Sequence, residues 1–232
     1  MAKNIRGHFF AGFDCSFQYL YNSFRVTIEK IYSLLEPFIA PDSISPEQSQ
    51  QVHAYLDLLL KWNEKINLTA IRPAEEIVTR HFGESFFAVR EFSKLQPSPA
   101  SAVDVGSGAG FPGLPIKIWF PEVQLTLVES NHKKVAFLRE AVRILGLKNV
   151  EVLAIRAEEA SSKFELVTLR AVERFEKALS IAAALLLPRG FLVLLIGESQ
   201  VAIAQESLPN FTYREPIPIP LSEKRVLLIA QR

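Results

Sequence analysis

The stretch Asp104-Val105-Gly106-Ser107-Gly108-Ala109-Gly110-Phe111-Pro112-Gly113 constrains what this chain can fold into more than any other. A short apolar run, residues 101–105, leads into it and reads as a buried strand. Leu114 to Trp119 follow it and read as the opening of a helix. Glycine lets a backbone adopt positive φ and come close to a ligand. A helix N-terminus offers free N–H groups. Strand, glycine-rich turn and helix together make a nucleotide cradle.

Two glycine registers fit this stretch. Gly108, Gly110 and Gly113 match the dinucleotide fingerprint G-x-G-x-x-G. That register begins beyond the strand end, and Pro112 and Pro115 interrupt the place where its helix should start. The other register is Asp104-x-Gly106-x-Gly108-x-Gly110, in phase with the strand. It is the pattern typical of class I enzymes dependent on S-adenosyl-L-methionine (SAM). SAM has no pyrophosphate to neutralise, so its loop, with Ser107 inside it, must pass closely under a methionine moiety. Asp104 can organise that loop and, through water, face a cationic ammonium. A second apolar run, Leu125 to Val128, sets Glu129 at a strand tip, where a carboxylate accepts both ribose hydroxyls. Both cofactors contain that ribose, so Glu129 indicates a nucleoside without choosing between them. The in-phase register favours SAM, with a nicotinamide-dependent oxidoreductase as the alternative.

The chain has 232 residues and 49% hydrophobic content, enough for a sizeable core. Its net charge is +1, so any nucleic-acid contact must come from a local patch. The single cysteine, Cys15, excludes an intramolecular disulfide and a cysteine-rich zinc site, and it suits the reducing cytoplasm. No apolar run reaches the length of a membrane span. Near the N-terminus, Asp14, Gln18 and Asn22 break the apolar stretch too early for a signal peptide.

From Phe17 to Phe38 apolar residues recur at three- and four-residue steps, which predicts a helix ended by Pro37 and Pro41. Ser45-Pro46-Glu47-Gln48 predicts a new helix with a capping box. A third helix is expected over roughly Glu75 to Phe92, followed by the linker Gln96-Pro97-Ser98-Pro99. Beyond it, apolar runs at 101–105, 125–128, 150–155, 165–169 and 190–196 alternate with helical stretches, notably Lys133 to Leu145 and Arg174 to Leu187. That alternation predicts a parallel sheet covered on both faces. Tyr213 to Ile219 and Arg225 to Ala230 read as a final strand pair, the first made edge-like by its prolines. Ligands of such sheets bind at the carboxyl ends of the strands. Asp104, Gly106, Glu129, Ala157, Glu158 and Arg170 all fall at or just beyond such ends.

Several short motifs carry a resemblance. They are Lys61-Trp62-Asn63 with Asn67-Leu68-Thr69, and Arg80-His81 with Ser85. The glycine stretch, Lys133-Lys134-Val135-Ala136-Phe137-Leu138, Arg156-Ala157-Glu158 and Arg170-Ala171 complete the set. Over about residues 45–230 the chain resembles the bacterial small-subunit rRNA guanine-N7 methyltransferases, the RsmG or GidB family. The resemblance implies a class I SAM-dependent methyltransferase fold. Its Rossmann-like, mainly parallel seven-stranded sheet would carry a reversed strand at the edge and an N-terminal helical cap. Residues 1–22 would be an extension beyond the usual start, 23–96 the cap and 97–232 the methyltransferase domain. The implied reaction is methyl transfer to N7 of one guanine in 16S rRNA of the small ribosomal subunit, guanine 527 in the family. By the same resemblance Gly106 and Phe111 touch SAM, Ala157 and Glu158 flank its adenine, and Arg170 closes the cofactor or substrate side. Two departures stand out: Glu84 where the family often has Asp, and Gly83 before it. The protein is expected to work in the cytoplasm as a monomer, with no metal and no membrane.

Guanine N7 carries a lone pair and no proton, so no general base and no catalytic side chain are expected. Marks of competing chemistries are missing. The position after the fourth strand reads Leu169-Arg170-Ala171-Val172 rather than the Asp/Asn-Pro-Pro-aromatic set of amine methylation. The lone cysteine, needed for carbon-5 pyrimidine methylation, lies outside the core stretch. Lys117, Lys133, Lys134, Arg139 and Arg143 are candidate RNA contacts or a solvated face. Asn67, Arg80 and His81 are candidates for the target pocket. Trp62 reads as core rather than as a base-stacking ring. A ribosome-assembly factor that binds SAM and RNA without turnover is a third reading.

Overall fold

The computed structural model describes residues 26–96, 98–171 and 174–232. Cys15, the extension 1–22 and the start of the aromatic stripe at Phe17 lie outside the described residues. Helix α1 spans Ile28–Ile39, and α2 spans Pro46–Asn63. Helix α3, Ala74–Ile77, passes through a π-helical turn, Val78–Gly83, into α4, Glu84–Phe92. Pro37 does not end α1. It sits in the last turn, and the helix stops at Ile39 with Ala40 as its cap. The capping box of α2 is present: Gln48 N donates to Ser45 Oγ at 3.1 Å and Ser45 N to Gln48 Oε1 at 2.7 Å.

The α/β portion runs β1 Ser101–Val105, α5 Gly113–Trp119, β2 Gln124–Val128, α6 His132–Ile144, β3 Val150–Leu153 and β4 Phe164–Arg170. It continues with α7 Phe175–Ala184, β5 Leu186–Gly197, α8 Gln200–Ser207, β6 Thr212–Tyr213, β7 Ile217–Pro218 and β8 Arg225–Gln231. The sheet order is β3-β2-β1-β4-β5-β8-β6, with β7 also on β8. Strands β1 to β5 are parallel and β8 is antiparallel to β5. Eight strands are described where seven were expected, because the stretch read as one strand from Tyr213 to Ile219 gives two short pieces, Thr212–Tyr213 and Ile217–Pro218. Both pieces lie along β8. Leu186 and Leu187 belong to β5, not to the preceding helix; Leu186 pairs with Phe164.

Every strand of the parallel set ends at the same edge. The chain moves outward from β1 to β3, then returns to β4 beside β1. That reversal is the topological switch point where ligands of open α/β sheets bind. Because β8 is antiparallel, its first residue, Arg225, lies beside Gly197 at that same edge. One apolar core joins the N-terminal helices, α5 and α6 to one sheet face. A second lies beneath α7 and α8 on the other. Gly83 belongs to the first: a Cβ there would come within 2.6 Å of the Phe38 ring, so its absence lets α1 pack against the π-helical turn. No helix among the described residues is long and apolar enough to cross a membrane.

Lys117, a candidate RNA contact by sequence, is structural. Its side chain is buried, and its ammonium donates to the carbonyls of Pro121 and Val123, the latter at 2.6 Å.

Candidate active site

The loop after β1 is held from below and from the side. Gly106 N and Ser107 N both donate to Val128 O, at 2.9 and 3.0 Å. Asp104 faces Thr168 across the β1–β4 register. Its carboxylate accepts from Thr168 Oγ1 at 2.7 Å and from Gly113 N at 3.2 Å. Burial raises the Asp104 pKa to about 6, against the lowering effect of those hydrogen bonds. Gly106, Gly108 and Gly110 all have positive φ, so the in-phase register is the one that uses glycine's backbone freedom. Gly113 serves packing: a Cβ there would meet Leu127 at 2.5 Å and Asp104 Oδ2 at 2.8 Å.

Glu129 sits at the tip of β2. One carboxylate oxygen accepts from Gly108 N at 2.9 Å, the other from Asn131 N at 2.7 Å. A carboxylate oxygen has more than one acceptor direction, so each retains capacity for a hydroxyl. Glu129 lines a cavity of about 610 Å³ together with Gly106, Arg156, Ala157 and Glu158. Glu158 pairs with Lys177 at 2.6 Å, which holds its carboxyl below the usual range.

A neighbouring cavity of about 690 Å³ opens on the other side of the loop. Gly106, Lys134 and Ala171 line both cavities. Ala171 has φ +48°, a left-handed conformation uncommon for alanine. Such strain clusters at functional sites.

A chain of polar contacts forms the inner wall of the larger cavity. Asn63, at the end of α2, folds the following turn onto itself. Its Oδ1 accepts from Leu68 N at 2.9 Å and Thr69 N at 3.0 Å, while Nδ2 donates to Thr69 O at 3.1 Å. That places Thr69 Oγ1 2.7 Å from His81 Nε2. Arg170 Nη1 lies 3.1 Å from His81 Nδ1. Arginine can only donate, so Nδ1 is the acceptor and Nε2–H donates to Thr69. Burial and the charges of Arg170, Arg80 and Arg225 lower the His81 pKa to about 3, so the ring is neutral. Ser85 Oγ donates to His81 O at 2.6 Å and ties the same turn together. His81 and Tyr55 both stack on Phe111, with centroids at 5.0 and 5.1 Å.

Beneath this wall lies Glu84, whose side chain is only 1% exposed. Arg170 Nη2 donates to Glu84 Oε2 at 3.1 Å and to Arg80 O at 2.6 Å. Arg80 Nε and Arg225 Nη2 meet Glu84 Oε1 at 3.2 and 2.5 Å. One buried carboxylate therefore holds three guanidinium groups. A buried charge persists only when paired and hydrogen-bonded in this way.

Of the residues singled out by sequence, Gly106, Ser107, Gly108, Phe111, Arg80, His81 and Arg170 line the larger cavity. Glu129, Ala157 and Glu158 line the smaller one. Asp104 lines neither; it is sealed beneath the loop and acts on its shape. Asn67 is exposed in the turn after α2, 3.4 Å from an Arg72 nitrogen. Lys133 and Arg139 are exposed on α6, outside both cavities, and the neighbouring Lys134 reaches the site instead. Arg143 pairs with Glu140 at 2.8 Å. Trp62 packs on the core, edge-on to Phe137. Sequence reasoning missed Thr168, Lys224 and Arg225, and it treated Glu84 only as a departure. The available signal for Arg225 was a charge heading an apolar strand.

The family model GidB, rRNA small subunit methyltransferase G, matches residues 48–215. A Ribosomal RNA small subunit methyltransferase G from Chloroflexus aggregans is 38% identical over 199 residues, covering 80% of this chain and 82% of the relative. One from Alkaliphilus metalliredigens is 44% identical over 120 residues, 52% of this chain and 49% of the relative. Among solved structures, a ribosomal protein L11 methylase from Lactobacillus delbrueckii subsp. bulgaricus superposes with a TM-score of 0.56 at 12% identity. That match covers 66% of this chain and 78% of the other, and it shows the shared fold. The fold is that of class I SAM-dependent methyltransferases, SAM rather than a nicotinamide dinucleotide is the cofactor, and the chain belongs to the rRNA small subunit methyltransferase G (GidB) family.

Proposed function

We propose that this protein transfers the methyl group of SAM to N7 of one guanine of 16S rRNA, guanine 527 in the family, with rRNA or the small ribosomal subunit as substrate. The observation that carries this reading is the meeting of the two cavities at Gly106, Lys134 and Ala171. The smaller has the chemistry for an adenosine: Glu129 for the ribose hydroxyls, Ala157 and Glu158 beside the base. The larger has the charge and aromatic wall for a nucleotide. Gly106 lies between them and Phe111 lines the larger one, for the methionine portion, with Arg170 on the same wall.

SAM supplies an electrophilic methyl group on a sulfonium. The chain's own contribution is alignment, which converts a bimolecular displacement into an effectively unimolecular one. N7 has no proton to lose, so the reaction needs no base to take one. Asp104 is sealed under the loop, and the His81 lone pair is already used by Arg170. Its pKa of about 3 makes that ring a weak base besides. Transfer moves positive charge from sulfur to the purine and leaves the total unchanged, so no ionising group is required.

The test is incubation with methyl-labelled SAM and small subunits that lack the modification, followed by strand cleavage at 7-methylguanine. The expected result is label at one guanine. Saturable SAM binding with no label in either naked 16S rRNA or subunits would overturn the reading.

A further inference from the structure

We propose that Lys224 and Arg225, at the start of β8, grip a phosphodiester of the RNA next to the methylated nucleotide. This rests on the reading of the larger cavity as the nucleotide site.

Charge carries the inference. Arg80, Lys134, Arg170, Lys224 and Arg225 line the larger cavity, and among the described residues no acidic one does. The whole chain has a net charge of +1, so this concentration is local. Glu84 beneath the wall offsets part of it through Arg80, Arg170 and Arg225. Lys134 and Lys224 have no acidic partner among the described residues. SAM cannot supply the balance, because its sulfonium and ammonium outweigh its carboxylate. A polyanion can.

Geometry selects β8. Arg225 leans on Glu84 through Nη2 alone, and its Nε–H is buried with no acceptor among the described residues. Buried donors in folded proteins are nearly always paired, so Glu84 alone does not satisfy this guanidinium, whose side chain stays 26% exposed at the cavity. Lys224 is exposed beside it. Glu198 N donates to Lys224 O at 2.9 Å, which fixes the backbone at this point to the end of β5. Arg225 is thus a preset guanidinium and Lys224 an exposed ammonium on the same rim. A phosphodiester matches such a pair, through hydrogen bonds to the planar group and charge to the other.

The experiment is a cycle between protein and RNA, using full-length protein and the rRNA segment whose guanine the labelling assay identifies. Neutral methylphosphonate linkages replace each phosphate flanking that guanine in turn. Lys224→Ala, which spares the Glu84 contacts, is the main variant, and Arg225→Gln is the second. Binding is read across a salt series, and SAM affinity is read separately by calorimetry. Lys224→Ala is expected to make the slope of log K against log salt shallower by about 0.7, with SAM affinity unchanged. At one linkage the methylphosphonate should weaken wild-type binding while costing Lys224→Ala several-fold less. Purely additive losses at every linkage, or an unchanged salt slope, would overturn the proposal while leaving methylation intact. A wild-type protein that neither binds nor methylates the RNA would overturn the functional reading itself.

Discussion

Glu84 on α4 and Arg170 at the tip of β4, 86 residues apart in the chain, form a buried ion pair at 3.1 Å. It joins the N-terminal helices to the sheet beneath the inner wall of the larger cavity. Replacing Glu84 with Gln leaves Arg80, Arg170 and Arg225 facing one another without a counter-charge. Breaking one side of such a buried cluster costs about 3 kcal/mol. Urea unfolding of Glu84→Gln should show that loss, and a change below about 1 kcal/mol would mean the cluster behaves as a surface pair.

Gly110→Ala tests the cofactor loop. Gly110 has φ +88°, and a Cβ there would lie 2.5 Å from Tyr55 Oη and 2.6 Å from Leu114 Cδ1. Strain and overpacking together predict a destabilisation of about 2 kcal/mol. Because the loop must shift to relieve it, SAM affinity measured by calorimetry should fall as well. Unchanged affinity in a folded variant would place the cofactor away from this loop.

Asn63→Ala removes three hydrogen bonds that shape the turn carrying Thr69. Leu68 N–H keeps the Ile66 carbonyl at 2.9 Å, while the half-buried Thr69 N–H loses its acceptor, which predicts a loss of about 1 kcal/mol. Thr69 would also be released from His81, so methylation should fall further than stability alone explains at a temperature where the variant remains folded. Thermal unfolding and initial rates, measured side by side, separate the two effects.

Two buried groups give opposite pH dependences. His81 has a folded pKa of about 3 against an ordinary 6.5. Between those values the unfolded chain binds a proton that the fold refuses, so stability falls as pH drops through that window. Asp104 has a folded pKa of about 6 against an ordinary 3.8. There the folded state holds the extra proton, so stability falls as pH rises through its window. Asp104→Asn should therefore gain stability more steeply than wild type as pH rises from about 4 to about 6. Parallel urea midpoints for the two proteins across that range would refute the shift at Asp104.

The glycine stretch made β1, its loop and the tip residue Glu129 legible, because period, glycine spacing and strand length are local properties. The capping box at Ser45 and Gln48 was legible for the same reason. The Arg80-His81 motif could be recognised but not explained, since its partners come from other elements: Thr69 for His81, and Arg170 for both His81 and Glu84. Lys117 misled because a lysine in a sequence carries no sign of whether its stem reaches water or a buried carbonyl pair. Arg225 was missed because its place beside Gly197 depends on the direction in which β8 enters the sheet.

That direction also bears on the order of assembly. Strand β8 is inserted between β5 and β6, yet it follows both in the chain. A folding intermediate containing β1 to β5 could already possess the glycine loop, Glu129 and the Glu84–Arg170 pair. It would still lack one wall of the larger cavity and the third guanidinium on Glu84. The smaller cavity thus draws no residue from β8, and the docking of that single strand completes the larger one.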